Sequence, residues 1–296
     1  MSENTAIAWT NHTLNLISGC TKISAGCLNC YAANLPPAMR RHAEWGPNAE
    51  RKFAPESYIA QVYAWERRAA KTGIRERVFG PSVADPFEGP HGPDGEGRNG
   101  PREDYLPVIR RMFALAVECP HLDFQVLTKR PWNAVAWWRD DVIPGAEAFW
   151  PSNLWIGTSV EDQRAAHARV LPLLKLPARI RFLSCEPLLE RVALTELRDN
   201  SDDVADGPFH RATSEDFHVE RGVQWVIVGG ESGRNARRMQ MAWADDIVRQ
   251  CRDANVPVFV KQMGTRIAEV CNYNDKKGGD PSEWPSYLQV QEFPHA

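Results

Sequence analysis

The segment QWVIVGGESGRNARRMQMAWADDIVRQCRDANVPVFVKQ, residues 224–262, decides the fold of this chain. It opens with an apolar run near 224–228, continues with helical periodicity near 242–254, and closes with a second apolar run near 257–260. Strands of a parallel sheet are covered by helices on both faces, so their sequences are nearly continuous apolar runs. The segment therefore predicts a strand, a helix and a second strand of a parallel sheet.

The same alternation of short apolar runs and longer amphipathic stretches extends along most of the chain and is typical of a mainly parallel sheet. It predicts further strands near 13–17, 77–79, 123–127, 154–157 and 180–183, and further helices near 31–42, 56–72, 104–118, 132–139 and 161–175. Six or seven such units are too few for the eight of a complete barrel. We therefore expect an α/β fold, a partial (β/α)6-7 TIM-like barrel, with a doubly wound open sheet as the alternative.

The length and composition of the chain favour one domain. It has 296 residues, of which 43% are hydrophobic, so one α/β barrel is able to fill the whole length. Two small domains are a less economical alternative. The stretches 86–103 and 199–222 lack periodicity and are predicted to be inserted loops, and the tail from residue 265 is predicted to be irregular.

The net charge and the absence of targeting signals in the sequence bear on where the protein is located and on what it is able to bind. The formal net charge is −3, so any contact with nucleic acid depends on a local basic patch. The amino terminus lacks the basic and apolar regions of a signal peptide, and no stretch approaches the ~18 continuous apolar residues of a membrane helix. We therefore expect a cytoplasmic protein that does not enter a membrane, in which closely spaced cysteines indicate metal binding or catalysis rather than disulfides.

Three of the seven cysteines, Cys20, Cys27 and Cys30, are clustered between the first predicted strand and the first predicted helix. Three thiols within eleven residues are able to converge on one centre, because Gly19 and Gly26 permit tight turns. Thiolates also gain from the positive end of a following helix. The cluster therefore predicts a metal centre, with reduced, unligated thiols as the alternative.

The number of cysteines bears on the identity of the metal. Structural zinc normally takes four protein ligands, whereas a [4Fe–4S] cluster held by three cysteines leaves one iron free for another ligand. Zinc would need a fourth ligand such as His42 or Cys119. The count therefore favours iron–sulfur and keeps zinc as the alternative.

Polar residues follow most of the predicted strands. In α/β barrels the chemistry collects at the carboxyl ends of the strands. Some of these residues have structural explanations, since Asp162 is placed to cap a helix and the lysines are able to form ion pairs with the glutamates. The predicted catalytic residues are Lys129, Glu161, Glu186 and Lys261, and the predicted cofactor-binding residues are Ser159, Gly229, Gly230, Glu231 and Ser232.

Two further patterns concern binding. The glycine-rich turn at 229–233 has backbone amides that are able to cradle an anion or a cofactor carboxylate. The basic residues Arg234, Arg237 and Arg238 follow it directly, which predicts either a solvated surface or a site for phosphate or nucleotide. The tryptophans on the predicted helix 132–139 favour core packing over stacking on bases.

Six separated motifs, in order, closely resemble the phage Gp37/Gp68 family, also known as DUF5131 or three-Cys-motif proteins. That family is similar to radical S-adenosylmethionine enzymes, although here the gaps between the cysteines are six and two residues instead of the usual three and two. The resemblance implies a radical SAM-like fold, a [4Fe–4S] cluster on Cys20, Cys27 and Cys30, S-adenosylmethionine as cofactor, and an electron donor. The motifs are WTNHTLNLISGCTKISAGCLNCYA (9–32), FQVLTKRP (124–131), LWIGTSVEDQ (154–163), RFLSCEPLL (181–189), WVIVGGESG (225–233) and VPVFVKQMG (256–264).

The leading hypothesis is therefore a radical S-adenosylmethionine-type enzyme. An open partial barrel admits a large substrate, which favours a nucleic acid or a nucleotide. One alternative is a non-catalytic module that binds zinc or an iron–sulfur cluster and attaches to DNA or to a partner protein. A third is metal-assisted hydrolysis, in which Asp85, Glu161 and Glu186 hold a divalent cation.

Overall fold

The computed structural model describes residues 2–89, 105–139, 150–197, 212–214 and 217–294. Most of the two predicted insertions lies outside these residues. The chain divides into two compact units, each described below by itself. The first unit comprises Met1–Ile23, Cys30–Gly157 and Leu176–Arg179, and the second comprises Ser24–Asn29, Thr158–Lys175 and Ile180–Ala296. The single domain expected from the sequence stays a prediction.

The strands are β1 (Ser2–Glu3), β2 (His12–Thr13), β3 (Ile17–Ser18), β4 (Lys52–Phe53), β5 (Glu76–Phe79), β6 (Leu122–Thr128), β7 (Leu154–Ser159), β8 (Arg181–Cys185), β9 (Ala212–Ser214), β10 (Phe217–Arg221), β11 (Trp225–Gly229) and β12 (Val258–Gln262). The helices are α1 (Ser57–Thr72), α2 (Leu106–Glu118), α3 (Pro131–Arg139), α4 (Gln163–Leu174), α5 (Met241–Asp253) and α6 (Thr265–Val270). No helix in the part of the chain described here is both long enough and apolar enough to cross a membrane.

The main sheet confirms the predicted fold class. Its eight strands follow the order β1-β2-β5-β6-β7-β8-β11-β12, so neighbouring strands also follow each other along the chain. The pairs β2–β5, β5–β6, β8–β11 and β11–β12 are parallel, and the short β1 is antiparallel to its neighbour β2. Sequential parallel strands separated by helices are the arrangement expected of a partial TIM-like barrel.

The first unit is held together by apolar helix faces and by large aromatic side chains. On α1 the buried residues Ile59, Val62, Trp65 and Ala69 recur at helical spacing, which places them on one face. Trp137 of α3 is fully buried, with its ring 5.7 Å from that of Phe87. The packing expected for this tryptophan is therefore confirmed.

The second unit has its core around β11. Trp225 of that strand is fully buried between aromatic rings, with centroids 5.7 Å from Phe182 and 6.3 Å from Phe259. Residues near 290–292 run antiparallel along the outer side of β12: Gln291 pairs with Phe259, and the Val260 amide donates to the Val290 carbonyl at 2.8 Å.

Two predicted elements differ from those observed. The helix expected at 31–42 is replaced by two short 3-10 helices, Ala32–Asn34 and Pro37–Arg40. Between them, Leu35 is extended at ψ 151° because it precedes Pro36, and a proline disfavours helical geometry in the residue before it. The strand expected at 13–17 is likewise divided between β2 and β3, the second of which pairs antiparallel with β4.

Candidate functional site

Cys20 follows β3 in the first unit and lies beside a buried arginine. Nη1 of Arg130 is 4.0 Å from Sγ of Cys20, and Nη2 of the same side chain donates to the Thr21 carbonyl at 2.8 Å. The Arg130 side chain is only 1% exposed. A single guanidinium therefore contacts both the sulfur and the backbone of the residue that follows it.

Two carboxylates compensate the charge of Arg130. Oδ2 of Asp85 is 2.9 Å from Nη1 of Arg130, and Oε1 of Glu88 is 3.7 Å from Nη2. Glu88 also forms an ion pair with Arg51 at 2.8 Å and accepts a hydrogen bond from Tyr105 at 2.7 Å. Burial alone would lower the pKa of Arg130. The negative charges of Asp85, then of Cys20 and Glu88, outweigh this effect, so the pKa of Arg130 is raised.

The predicted residues Asp85 and Lys129 lie in this network. The Asp85 carboxylate accepts hydrogen bonds from the Thr128 hydroxyl at 2.6 Å and from the Lys129 amide at 2.9 Å, in addition to the ion pair with Arg130. Lys129 follows β6, as the sequence predicts, and is half-buried. Since its oxygens are committed to protein groups, Asp85 is a structural carboxylate rather than a free metal ligand.

The proposed fourth zinc ligand Cys119 lies at the other end of β6. It follows α2 and precedes the strand, whereas Arg130 and its contact with Cys20 follow the strand. A strand of seven residues spans roughly 20 Å, so Cys119 is too far to share an ion with Cys20. Burial also raises the pKa of Cys119 to about 12, which disfavours the thiolate needed for metal binding.

In the second unit, Cys27 ends the 3-10 helix Ala25–Cys27. The Ser24 hydroxyl is 3.7 Å from Sγ of Cys27, and the Cys27 amide donates to the Ser24 carbonyl at 3.0 Å. Cys27 is 9% exposed. The sulfur is therefore held in a short, hydrogen-bonded turn rather than in an extended loop.

Glu161, which follows β7, touches this turn. Oε1 of Glu161 accepts from the Gly26 amide at 3.4 Å, while Oε2 forms an ion pair with Arg169 at 2.7 Å. Arg169 also donates to the carbonyl of Ser159 at 2.8 Å. The Glu161 side chain is fully buried. Its position next to the cysteine turn agrees with the strand-end location expected from the sequence.

Glu231, which follows β11, holds the other end of the same turn. Asn29 donates from Nδ2 to Oε2 of Glu231 at 3.1 Å, and Arg237 donates to both carboxylate oxygens, at 2.6 and 2.9 Å. Arg237 also donates to the Ala25 carbonyl at 2.9 Å. Burial opposes ionisation of Glu231, but the hydrogen bonds from Arg237 and Asn29 outweigh it and hold the Glu231 pKa below its ordinary value.

The glycine-rich turn after β11 already has protein partners. The Gly230 amide donates to the Gln262 carbonyl at 2.9 Å, and the Glu231 carbonyl accepts from the Thr265 amide at 3.0 Å. A Cβ on Gly230 would stand 2.2 Å from the Met263 carbonyl oxygen, so this position admits only glycine. Ser232 is half-buried at the rim of the turn.

Glu186 and Lys261 pair with each other. Oε1 of Glu186 lies 3.0 Å from Nζ of Lys261, and both side chains are partly exposed, at 13% and 24%. A Cβ on Gly229 would stand 2.5 Å from the same carboxylate oxygen. These two predicted catalytic residues therefore form an ion pair, which is the structural alternative expected from the sequence.

The capping role expected of Asp162 is confirmed in the second unit. Asp162 caps α4, since its side chain accepts from the Ala165 amide at 2.7 Å. Cys185 is fully buried, and burial raises its pKa, so it is a small core residue rather than a nucleophile.

Sequence reasoning missed Arg169, Asn29 and Arg51. Arg169 had a detectable signal, because it lies among Ala165, Ala166, Val170 and Leu173 on the buried face of α4. An arginine on an apolar helix face requires a buried carboxylate partner. Asn29 and Arg51 offered no such signal, because their partners are distant in the sequence.

The three cysteines are of the ligand type that a metal–thiolate centre needs. Their side chains are not already arranged around one metal position. Cys20, Cys27 and Cys30 are not joined in disulfides, so their sulfurs remain available as thiols or thiolates. However, within residues 2–89, 105–139, 150–197, 212–214 and 217–294, no three His, Cys, Asp or Glu side chains form a group able to hold a metal ion. Nor does the expected helix follow Cys30, so its positive end does not support the thiolates. The fit therefore rests on ligand type and spacing.

The molecule is thus an α/β protein with a mainly parallel sheet and a three-cysteine loop near its first strands. The chain belongs to the DUF5131 family, described as proteins of unknown function, whose model matches residues 4–285. The match covers nearly the whole chain and confirms the DUF5131 resemblance. No curated protein and no solved structure matches the chain.

Proposed function

We propose that the protein is a radical S-adenosylmethionine-type iron–sulfur enzyme in which Cys20, Cys27 and Cys30 hold a [4Fe–4S] cluster. The observation that carries the proposal is the three-cysteine loop, with Arg130 next to Cys20 in the first unit. Cys20, Cys27 and Cys30 would hold the cluster, and the cluster would supply the electron that cleaves S-adenosylmethionine. The resemblance to the phage Gp37/Gp68 proteins and to radical enzymes supports the same assignment.

Charged side chains around the loop suit an anionic centre. Arg130 contacts Sγ of Cys20 at 4.0 Å, and Arg237 donates to the backbone of Ala25, two residues before Cys27. The pKa of Arg237 is raised, first by its hydrogen bond to Glu231 and to a smaller extent by Cys27. A guanidinium close to a thiolate stabilises the ionised sulfur that metal ligation requires.

The glutamates of the second unit take positioning roles in this proposal. Glu161 and Glu231 hold the turn that carries Cys27, through the Gly26 amide and the Asn29 side chain. Ser159 and Ser232 remain the proposed contacts of the cofactor, together with the turn at Gly229 and Gly230. Binding of S-adenosylmethionine requires local rearrangement there, because the Gly230 amide is already paired.

We further propose a nucleic acid or a nucleotide as the substrate. Arg234 and Arg238 are exposed on the segment after β11, and both are able to contact phosphate. Lys129 and Lys261 are the proposed substrate-facing lysines, with Glu186 controlling the position of Lys261 through their 3.0 Å ion pair. The proposed location is the cytoplasm, where a reducing environment prevents the thiols from forming disulfides.

A non-catalytic metal module that binds DNA or a partner protein is the second candidate. It is favoured by one observation: Glu161, Glu186 and Glu231 each form an ion pair with a basic side chain. Carboxylates whose charge is neutralised by a basic side chain are able to stabilise the fold without taking part in a reaction. This candidate accommodates zinc as well as an iron–sulfur cluster.

Anaerobic purification separates these candidates. We expect iron and sulfide in the preparation, little zinc, and formation of 5′-deoxyadenosine when dithionite and S-adenosylmethionine are added. Stoichiometric zinc without iron would refute the enzyme proposal, and iron without cofactor cleavage would favour the binding module. Cys27→Ala is expected to abolish iron retention, whereas Cys271→Ala, at an exposed cysteine outside the loop, is expected to retain it.

A further inference from the structure

The turn at 275–279, which follows α6, carries two lysines and packs against the carboxyl end of β12 in the second unit. The Met263 amide donates to the Gly278 carbonyl at 2.7 Å, and the Gly264 amide donates to the Lys277 carbonyl at 3.0 Å. Gly278 has φ +63°, and a Cβ there would stand 3.1 Å from Cβ of Met263, so this close approach favours glycine. Lys276 and Lys277 are therefore attached to the end of a strand.

Hydrogen bonds fix the backbone of this turn. The Asp275 carboxylate accepts from the Lys277 amide at 3.2 Å and from the Gly279 amide, and the Asp275 carbonyl accepts from the Gly278 amide at 2.8 Å. Buried Trp284 donates from Nε1 to the Gly278 carbonyl at 2.9 Å. The turn therefore presents its two exposed lysine side chains on an ordered backbone, which lowers the entropic cost of binding a ligand.

The segment after β11 carries two further exposed cations, Arg234 and Arg238. It contacts the residues that follow β12, since the Gly233 amide donates to the Thr265 hydroxyl at 3.1 Å. Nε of Arg266 also donates to the Ala236 carbonyl at 3.1 Å. Because β11 and β12 are adjacent and parallel, both segments lie at the carboxyl edge of the sheet, where α/β proteins bind their ligands.

The two segments carry positive charge that their own acidic residues do not neutralise. Residues 230–240 and 264–279 contain six basic and three acidic side chains, a net charge of +3, in a chain whose net charge is −3. Arg237 pairs with Glu231, and Arg266 pairs with Glu269. Within the part of the chain that the structure describes, no ion pair forms at the other four basic residues, here called the basic rim: Arg234, Arg238, Lys276 and Lys277.

We propose that the basic rim binds the phosphate backbone of a polynucleotide without reading its sequence. This inference rests on the proposed function for its nucleic-acid substrate, but not for its metal centre. Four cations on two segments suit the repeated charges of a polynucleotide better than the phosphate of one nucleotide. Contacts with phosphate position a nucleic acid and carry no sequence information directly.

The surroundings of the rim disfavour a membrane as its partner. In residues 230–240 and 271–279 no large apolar side chain is exposed, whereas a protein segment that lies on a membrane inserts apolar side chains into it. Arginine and lysine side chains without an apolar anchor are typical of nucleic-acid surfaces.

The test measures binding of the purified full-length protein to fluorescein-labelled random-sequence oligonucleotides by fluorescence anisotropy at several salt concentrations. The probes are single-stranded DNA, duplex DNA and RNA. Lys276→Gln combined with Lys277→Gln should weaken binding roughly tenfold and make the slope of log K against log salt shallower by about 2. Adding Arg234→Gln and Arg238→Gln should weaken binding further, and excess adenosine monophosphate should not displace the oligonucleotide.

The matched control is Lys175→Gln combined with Arg252→Gln. These exposed cations lie at the C-terminal ends of α4 and α5 in the same unit, and therefore at the opposite edge of the sheet. The control lowers the net charge by the same amount as the lysine pair and should leave binding unchanged. Equal losses in the control and the lysine variant would show that only overall charge matters and would overturn the inference.

Three other results also overturn it: a wild-type protein that binds none of the three probes, displacement by adenosine monophosphate, or binding to phosphatidylserine vesicles but to no oligonucleotide. Iron content and 5′-deoxyadenosine formation are measured on the same preparations. Cofactor cleavage without oligonucleotide binding refutes the rim and leaves the proposed enzyme intact. Oligonucleotide binding that depends on the rim, in a protein without iron, supports the rim and refutes the enzyme.

Discussion

The amide of Gly26 lies 3.4 Å from Oε1 of the fully buried Glu161, and a Cβ on Gly26 would stand 2.9 Å from the carboxyl carbon of that glutamate. Glu161 cannot withdraw freely, because Arg169 holds its other oxygen at 2.7 Å. The residue before Cys27 is therefore restricted to glycine by a side chain 135 positions away in the sequence.

Gly26→Ala should therefore displace the cysteine turn. Overpacking in a rigid site typically costs about 1–3 kcal/mol, and we expect a loss of that size in urea denaturation together with reduced iron retention. Adding Glu161→Asp, which shortens the opposing side chain, should recover part of both losses. An alanine variant with wild-type stability and full iron content would contradict this account.

Arg169→Met should strongly destabilise the second unit. It leaves the Glu161 carboxylate buried without its cation, a change that typically costs about 3–5 kcal/mol. The double variant with Glu161→Leu removes both charges and is expected to be considerably more stable than the single variant. The measurement is equilibrium unfolding in urea, and equal stabilities of the single and double variants would argue against a buried ion pair.

The stability contributed by Glu231 should depend on pH. Its carboxyl has a lowered pKa in the folded protein, so between that value and the ordinary 4.5 the unfolded chain binds more protons than the folded one. The contribution is therefore complete above pH 4.5 and is lost as the pH falls through the folded pKa. The difference in unfolding free energy between wild type and Glu231→Gln should narrow below pH 4.5 and stay constant above pH 6.

Trp137→Ala should destabilise the first unit by about 3–5 kcal/mol, because the ring is fully buried against Phe87 and Tyr105. Tyr287→Ala removes an aromatic ring that is 46% exposed and is expected to cost much less. Thermal unfolding followed by circular dichroism measures both. A small effect at Trp137 would contradict the large packing contribution assigned to this buried ring.

The strands were predictable because their sequences carry the signal themselves. The buried run Trp225–Gly229 was expected within one residue at each end, since a parallel strand that is buried on both faces is apolar throughout. The polar residues after the strands were predictable for a related reason, because the carboxyl ends of parallel strands lie at one edge of a sheet. Glu161, Glu186 and Glu231 therefore occur where the pattern placed them.

The partners of those residues were not predictable. Glu231 depends on Arg237, six residues later, but also on Asn29, 202 residues away, and only the fold brings Asn29 near. The missing helix at 31–42 was a different kind of error. Its apolar spacing is helical, but the Pro36–Pro37 pair overrides that spacing, because proline disfavours helical geometry in the residue before it.

The segment beside β12 has a consequence for the handling of the protein. By pairing Gln291 with Phe259 and Val290 with Val260, it occupies backbone donors and acceptors that would otherwise face solvent at the border of the sheet. An edge strand with unpaired backbone groups is a template for pairing with strands of other molecules. A shortened chain that ends before residue 288 would therefore be prone to self-association, and a purification tag is safer at the amino terminus.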